Sequence, residues 1–404
     1  MRTRGVAAVV LVASLAGLLG PEPAAASPAV LRPAAATTNG CLGQEAPPPP
    51  PAKEELAAPT PAPLPWPSEP IGGPALAACG DLGPPAPPGI DAASYVVADL
   101  DSGAILAARA PHARHRPAST LKILLALVVL GRLDPDSVVD GTADDMRVDG
   151  SRAGIGPGGQ YTVRQLLAGL LLNSGNDTAE ALARALGGDP ETLAAMTATA
   201  REHGAFDTRP ATPSGLDGPG MASSAYDLAL LFRLVLRNPL FASTIATRSV
   251  PFPGYLDHPG FVLSSTDRFM PRYSGAVGAK AGFTDAARHT LVAAAERNGR
   301  RLVVVLMRGE IRPVPMWQQA AALLDTSFGH PAGTPALGQL VEEAPATPTP
   351  APPAAQALTP DRSSPPPSAA VQQWLIAGAA ATAGAVALMM LIVIVVRTRR
   401  RRSR

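Results

Sequence analysis

Proline is distributed so unevenly along this 404-residue chain that it limits where a folded domain can lie. Many of the 46 prolines and 38 glycines crowd into residues 46–88 and 331–367. The stretch between, about 92–329, has ordinary globular composition and is long enough to bury one large core. We therefore predict a Pro-rich N-terminal arm over 27–91, one folded domain over 92–330 and a Pro-rich disordered stalk over 331–373.

Both ends of the chain carry apolar segments that bear on its location. Two arginines precede an apolar run that ends in several alanines, which predicts a secretory signal peptide over residues 1–26. Residues 374–396 contain no charge and, at ~1.5 Å per residue, are long enough to cross a bilayer as one helix. Arginines dominate 397–404, and the positive-inside rule places that tail in the cytoplasm. The sequence thus predicts a single-pass cell-membrane protein with an extracytoplasmic domain.

Charge and cysteine content limit the partners and cofactors. The net charge of +2 gives no bulk electrostatic argument for binding nucleic acid, and none is predicted. Outside the cytoplasm, Cys41 and Cys79 favour a disulfide that staples the Pro-rich arm, with two free thiols as the alternative. No cysteine or carboxylate cluster accompanies His112 and His115, so no metal site is predicted.

The periodicity of apolar residues places strands at both ends of the domain and helices in the middle. One hairpin is predicted over 94–108 around Asp101-Ser102-Gly103, and another over 289–307 around Asn298-Gly299. Residues 123–130 are apolar on every side, which indicates a helix buried in the centre of the domain. This order predicts an α/β (α+β) fold, with an antiparallel sheet built from both ends of the domain and backed by a helical region.

Lysine is so rare in this chain that its positions are informative. Only three of the 34 basic residues are lysines, and an ammonium can lose its proton when desolvated whereas a guanidinium cannot. The sequence Ser119-Thr120-Leu121-Lys122 is an S-x-x-K, Ser174-Gly175-Asn176 is an S-x-N, and Lys280-Ala281-Gly282 is close to K-T-G. Each motif alone is weak evidence. Together they are stronger, because the first lies at a predicted helix start, the second at a turn between two helices and the third on a strand.

These residue types suit acyl transfer to a serine. Ser119 and Lys122 share a helix face, so Lys122 can activate the Ser119 hydroxyl if burial and a nearby cation lower the pKa of the amine. Ser174 could relay a proton to the leaving amine, and Asn176 could hold both the substrate amide and Lys122. The ammonium of Lys280 would face the terminal carboxylate of a peptide bound along the strand edge.

Structural interpretations of the same residues remain open. Ser119 could be only a helix N-cap, Ser174 and Asn176 could cap the next helix, and Lys280 could be a solvated strand lysine. A Ser-His-Asp hydrolase is a poorer interpretation, because the chain has no G-x-S-x-G and no histidine in a context that singles it out.

Taken together, the motifs resemble the D-alanyl-D-alanine carboxypeptidases of serine peptidase family S11, the low-molecular-weight penicillin-binding proteins, in their actinobacterial form. The resemblance covers about 92–329 and is carried by ADLDSG at 98–103, RPASTLK at 116–122, LNSGND at 172–177, TPSGLDGPG at 212–220 and GAKAGFT at 278–284. It implies a β-lactamase/transpeptidase-like fold and removal of the terminal D-Ala of peptidoglycan pentapeptide stems through an acyl-serine intermediate. It also implies β-lactams as covalent inhibitors and no metal or organic cofactor.

The resemblance also implies a role for each motif residue. Ser119 is the nucleophile, Lys122 the general base and Ser174 the second proton-relay hydroxyl. Lys280 binds the substrate carboxylate, and the backbone N–H groups of Ser119 and Phe283 form the oxyanion hole. The predicted substrate-binding set is Asn176, Lys280, Gly282, Phe283 and Thr284.

One position departs from the family pattern, because Ala281 stands where K-T-G has a threonine whose hydroxyl binds the substrate carboxylate. Losing one hydrogen bond to a charged group costs ~1.5–3 kcal/mol of binding, unless Thr284 or Arg288 compensates. The alternatives that follow are a D,D-endopeptidase or β-lactamase on the same fold, or a penicillin- or wall-binding scaffold with low turnover. Gly175 fits the carboxypeptidases, since class A β-lactamases typically have Asp there.

Overall fold

The computed structural model describes residues 61–343, except 68 and 332. The predicted signal peptide, Cys41, the membrane segment 374–396 and the basic tail lie outside the described residues, whereas Cys79 lies within them and is disulfide-bonded. Among the described helices, none is by itself long and apolar enough to cross a bilayer. The bent pair Ala225–Val235 and Pro239–Ile245 passes the same test of length and composition.

The described strands form one large antiparallel sheet and two small hairpins. In chain order they are β1 Asp81–Leu82, β2 Ser94–Asp99, β3 Ala104–Arg109, β4 Val138–Asp140, β5 Gln160–Thr162, β6 Ser249–Phe252, β7 Phe261–Ser264, β8 Ala276–Thr284, β9 Arg288–Arg297, β10 Arg300–Gly309 and β11 Gly338–Gln339. In the described part of the chain, the large sheet has the order β1-β3-β2-β10-β9-β8, with β11 also pairing with β3. Strands β4 and β5 form one small hairpin, and β6 and β7 form the other.

Both predicted hairpins are confirmed, as β2–β3 and β9–β10. The sheet joins the two ends of the domain, because β10 pairs antiparallel with β2 and Val304 lies opposite Val97. The predicted mixed fold with an antiparallel sheet from both ends of the domain is therefore what the structure shows.

The folded unit extends beyond the predicted limits of 92–330. On the N-terminal side β1 pairs with β3, and Leu76 is buried. On the C-terminal side β11 pairs with β3 and Leu340 is buried, so the chain returns to the sheet inside the range predicted as stalk. The proline content indicated where regular secondary structure becomes sparse. Short extended segments in such sequence can still form hydrogen bonds with the exposed backbone groups of a strand, as β1 and β11 do with β3.

Helices cover both faces of the sheet, and the strands show the expected two-residue alternation. The described helices are α1 Lys122–Arg132, α2 Ala143–Met146, α3 Val163–Leu172, α4 Asn176–Ala185, α5 Asp189–Glu202, α6 Ala225–Val235, α7 Pro239–Ile245 and α8 Met316–Phe328. Val96 and Val303 face the core shared with α1, α3, α4 and α6, whereas Tyr95 and Val304 face α8 on the opposite side. Helix α1 lies at the centre, and its first residues through Ala126 are fully buried, as its apolar sequence predicted.

Candidate active site

The S-x-x-K motif lies on a short 3₁₀ helix, Ala118–Leu121, that leads directly into α1. Ser119 is half-buried, and its Oγ lies 2.9 Å from Nζ of Lys122, which is fully buried. The 3₁₀ helix begins without a side-chain cap, so the interpretation of Ser119 as an N-cap is wrong. Ala118 has a left-handed backbone with φ of 49°, a strained conformation for a residue with a Cβ and one that occurs often at functional sites.

The surroundings of Lys122 suit a neutral amine. Its Nζ lies 2.7 Å from Oδ1 of Asn176 and 2.6 Å from the carbonyl oxygen of Ser214, and both of these atoms can only accept. A neutral amine has two N–H groups for these two acceptors and one lone pair left for the hydroxyl of Ser119. Burial, and next the positive charge of Lys280, hold the pKa of Lys122 well below its usual value. The geometry and the electrostatics therefore both favour proton transfer from Ser119 to Lys122.

The S-x-N motif forms the break between α3 and α4, as predicted. Ser174 has a left-handed backbone with φ of 58°, and Asn176 is the first residue of α4 and is buried. Nδ2 of Asn176 donates to the carbonyl oxygen of Asp149 at 2.6 Å, which orients Oδ1 toward Lys122. A Cβ on Gly175 would lie 2.6 Å from Oδ1 of Asp177, so the packing explains why this position carries glycine.

Lys280 lies within strand β8, as its motif predicted, and this strand precedes the C-terminal hairpin of β9 and β10. The sequence of β8, AVGAKAGFT, has two glycines and few β-branched residues, so the sequence pattern did not predict where this strand begins and ends. Nζ of Lys280 donates to Oγ of Ser174 and to the carbonyl oxygen of Ala281, both at 2.8 Å. Burial lowers the pKa of Lys280 to about 7. These contacts exclude both the solvated-lysine interpretation and the reading of Ser174 as a simple cap.

Glycine at position 282 allows β8 to run directly beside the Ser119 turn. A Cβ there would lie 2.7 Å from the backbone nitrogen of Ser119 and 2.5 Å from Oγ1 of Thr290. Thr290 in turn donates to the carbonyl oxygen of Pro117 at 2.8 Å, which ties β9 to the same turn. In the described part of the chain β8 is an edge strand, so it leaves one side open to an extended peptide.

The residues after Gly282 form the outer rim of the cleft. Phe283 is 48% exposed, and its ring lies 4.5 Å from that of His289. Oγ1 of Thr284 accepts a hydrogen bond from the backbone of Ala287, and Arg288 makes two hydrogen bonds to Glu310 at 2.7 and 2.9 Å. Both side chains proposed to compensate for Ala281 are therefore engaged with other partners.

Two further parts of the site were not assigned roles from the sequence. Residues 209–222, called here the Ser214 loop, supply the carbonyl that binds Lys122. Gly215 in this loop has φ of 86°, and a Cβ on it would lie 2.1 Å from the carbonyl oxygen of Ala118. The loop belongs to the TPSGLDGPG stretch, but backbone carbonyls carry no sequence signal that would have identified Ser214.

Asp177 is the other unassigned residue. Its fully buried carboxylate accepts hydrogen bonds from the backbone N–H groups of Ala153, Gly154 and Ile155 at 2.8, 2.7 and 3.2 Å. These bonds fix the loop that lies over the S-x-N turn. An aspartate in the first turn of a helix is ordinary capping sequence, so this long-range role had no signal of its own.

The two histidines just before Ser119, His112 and His115, do not converge on one site. Nδ1 of His112 lies 2.9 Å from Asp207, whereas His115 is buried elsewhere. Burial, and next the positive charge of Arg308, lower the pKa of His115 to about 4. Among the residues that the structure describes, no three His, Cys, Asp or Glu side chains are arranged to hold a metal ion.

Comparisons with known proteins find similar sequences. The family model of D-alanyl-D-alanine carboxypeptidases, peptidase S11, matches residues 83–310. The D-alanyl-D-alanine carboxypeptidase DacB2 of Mycobacterium tuberculosis is 48% identical over 241 residues, which cover 59% of this chain and 82% of the relative.

Solved structures show the same similarity in three dimensions. A D-alanyl-D-alanine carboxypeptidase from Mycobacterium tuberculosis H37Rv matches with a TM-score of 0.61 at 46% identity, over 64% of this chain and 97% of the other. The DD-transpeptidase of Streptomyces K15 matches with a TM-score of 0.57 at 26% identity, over 60% of this chain and 99% of the other.

Proposed function

The chain belongs to the D-alanyl-D-alanine carboxypeptidase family, peptidase S11, and we propose that it uses Ser119 to remove the terminal D-Ala of peptidoglycan pentapeptide stems. The observation that carries this assignment is the position of Lys122. Its Nζ lies beside two oxygen atoms that can only accept hydrogen bonds, and its third neighbour is the hydroxyl of Ser119. That arrangement leaves the lone pair of a neutral amine for the Ser119 proton, which is what a serine acyl transfer requires.

In the acylation step, Oγ of Ser119 attacks the carbonyl carbon of the penultimate D-Ala and its proton passes to Nζ of Lys122. The negative charge on the carbonyl oxygen is stabilised by the backbone N–H groups of Ser119 and Phe283, which lie on the two segments that Gly282 brings together. The bond to the terminal D-Ala then breaks, and the proton held by Lys122 passes through the hydroxyl of Ser174 to the leaving nitrogen. Free D-Ala departs and leaves the stem esterified to Ser119.

In the deacylation step, water attacks the ester carbonyl carbon and gives a proton to Lys122. The bond between that carbon and Oγ of Ser119 breaks, Lys122 returns the proton to Oγ, and the shortened stem leaves with a new terminal carboxyl group. Lys280 binds the terminal carboxylate of the substrate, and its hydrogen bond to Ser174 keeps the relay hydroxyl in place. A bound carboxylate favours the charged form of Lys280, so substrate binding counteracts the effect of burial.

The direct test is incubation of the purified protein with a pentapeptide stem ending in D-Ala-D-Ala. We expect one D-Ala released per stem and inhibition by β-lactams through acylation of Ser119. Cleaved cross-links without D-Ala release would assign the protein as an endopeptidase, and rapid hydrolysis of the β-lactam would assign it as a β-lactamase. Labelling by penicillin with no turnover of any of these substrates would favour the scaffold interpretation.

Ala281 gives a test of substrate binding. The side chain at 281 is exposed in the cleft, so Ala281→Thr places a hydroxyl where the family pattern has one. We expect the KM for the pentapeptide to fall about tenfold, since one hydrogen bond to a carboxylate contributes ~1.5–3 kcal/mol. The control is Ala281→Val, which has the shape of threonine without the hydroxyl. Equal KM values for the threonine and valine variants would show that no hydroxyl is missing at this position.

We also propose that residues 374–396 anchor the protein in the cell membrane with the folded domain outside. The support is the uncharged length of the segment and the arginines that follow it. We expect the full chain to remain in the membrane fraction after a high-salt wash and to be digested by protease added outside the cell. A chain ending at residue 373 keeps the predicted stalk and should be released. Release of both proteins would contradict the anchor.

A further inference from the structure

A short surface segment of alternating prolines, residues 61–67, lies against the Ser214 loop; it is called here the strap. Its sequence is Pro-Ala-Pro-Leu-Pro-Trp-Pro, so every second residue lacks a backbone N–H, and it contains no helix or strand. Proline also restricts φ, so such a segment is extended before it binds and loses little conformational entropy when it packs. Its backbone carbonyl oxygens, which take part in no helix or strand, can accept hydrogen bonds from side chains.

Arg114 donates hydrogen bonds to two carbonyl oxygens in the middle of the strap. It donates from Nη1 to the carbonyl oxygen of Leu64 at 2.5 Å and from Nη2 to that of Pro65 at 2.8 Å. Its guanidinium also lies 3.6 Å from the centroid of the Trp66 ring, a close cation–π contact. Nε of the same arginine donates to buried Asp207 at 2.9 Å, which fixes the guanidinium from the other side.

Arg209 joins the strap to the base of the Ser214 loop. Its Nη1 donates to the carbonyl oxygen of Ala62, and its Nε donates to the carbonyl oxygen of Gly220, both at 2.7 Å. The backbone of Arg209 also pairs in both directions with Ala222, which closes the loop at its two ends. One side chain therefore bonds at once to the strap and to the closing end of the loop.

The opposite end of the same loop is its functional part. There the carbonyl of Ser214 accepts from Lys122, and Gly215 packs against the carbonyl of Ala118, next to Ser119. We propose that the strap is a positioning element of the active site, because it holds the Ser214 loop in the geometry that orients Lys122 toward Ser119. The proposal rests on the proposed function for its effect on catalysis, although the coupling of strap to loop can be measured without it.

The alternative is that the strap only adds stability to the domain. The two possibilities differ in kinetics, because the carbonyl of Ser214 contacts the amine that takes up the proton. A positioning role changes kcat and leaves KM unchanged, whereas a stabilising role lowers the melting temperature and leaves kcat unchanged at temperatures well below it.

The experiment compares two double variants of the full chain. Pro63→Gly with Pro65→Gly loosens the strap without removing a side chain that contacts the loop. Pro85→Gly with Pro88→Gly makes the same change at two exposed prolines of the same arm, and serves as the matched control. Trp66→Ala removes the ring that stacks on Arg114, and Trp66→Phe restores a ring.

We expect the strap variant and Trp66→Ala to lower kcat for D-Ala release, and the rate of penicillin acylation, about fivefold at unchanged KM. The control pair and Trp66→Phe should retain most of the original rate. Hydrogen exchange of the amides in 209–222 should also become faster in the strap variant and in Trp66→Ala, and should stay unchanged in the control pair. Unchanged exchange in that loop, or faster exchange with unchanged kcat, would overturn the proposal. A lack of D-Ala release by the unaltered protein would instead contradict the proposed function, while the exchange measurement would still test the coupling.

Discussion

Ser119→Ala is expected to abolish both D-Ala release from a pentapeptide and covalent labelling by a fluorescent penicillin. The variant removes the oxygen that would form the ester, and Nζ of Lys122 loses the neighbour that lies 2.9 Å away. Removal of a serine nucleophile from comparable machinery lowers kcat by roughly 10⁴-fold or more. The fold should be retained, because the hydroxyl caps no helix and the side chain is half-buried.

The matched control is Ser243→Ala, which removes an exposed hydroxyl from helix α7, outside the site. It should leave release, labelling and melting temperature nearly unchanged. Retention of stoichiometric labelling by Ser119→Ala would remove Ser119 from the nucleophile role. Loss of labelling together with a large fall in melting temperature would show that the variant had unfolded, and Ser119→Cys, which keeps a nucleophile of similar size, would then separate chemistry from stability.

The parts of the fold that follow from local patterns could be predicted from the sequence. The glycine turns at Gly103 and Gly299 gave both hairpins, because two-residue alternation on either side of a turn is a local signal. The S-x-x-K contact was also local, since residues three apart on a helix meet without help from the rest of the chain. The order of the three motifs along the chain then predicted which distant residues would meet, and Lys280 does reach Ser174 across 106 positions.

What could not be predicted depends on tertiary contacts made by groups without a sequence pattern. The acceptor that completes the surroundings of Lys122 is the backbone carbonyl of Ser214, which any residue could supply. Asp177 resembles an ordinary residue of a helix start, yet its carboxylate binds three backbone N–H groups of a loop more than 20 positions away. The bounds of strand β8 were not predicted either, because it has few of the branched side chains that usually mark strands and has glycine where it approaches the Ser119 turn closely, at position 282.

Substitution of Lys122 has the second large expected effect. Suitable variants show whether the enzyme needs an amine that can lose its proton at this position or only a positive charge. Lys122→Arg keeps a cation that cannot be deprotonated in a protein, and Lys122→Met keeps the length of the chain without any amine. We expect both variants to lose acylation by penicillin by more than about 10³-fold at every pH, which is of the order found when a general base is removed. Lys122→Met should also lower stability, since two buried acceptors each lose a partner at a cost of ~1–3 kcal/mol.

The pH profile of the unaltered protein tests the same assignment, because the mechanism predicts the direction in which the rate changes with pH. Burial and the charge of Lys280 lower the pKa of Lys122 well below its usual value, so acylation should rise with pH as this amine loses its proton. Binding of the carboxylate needs the charged form of Lys280, whose pKa is about 7 in the free protein, so kcat/KM should fall as the pH rises above that value.

Lys280 could itself be the base, acting through Ser174, since burial lowers its pKa to about 7. The two assignments predict different results for Lys122→Met: none of the acylation survives if Lys122 is the base, whereas a substantial rate that increases with pH through about 7 would transfer the role to Lys280. Lys280→Arg completes the comparison. It should raise KM and remove the alkaline decline while acylation continues, because on the proposed mechanism this position needs only a positive charge.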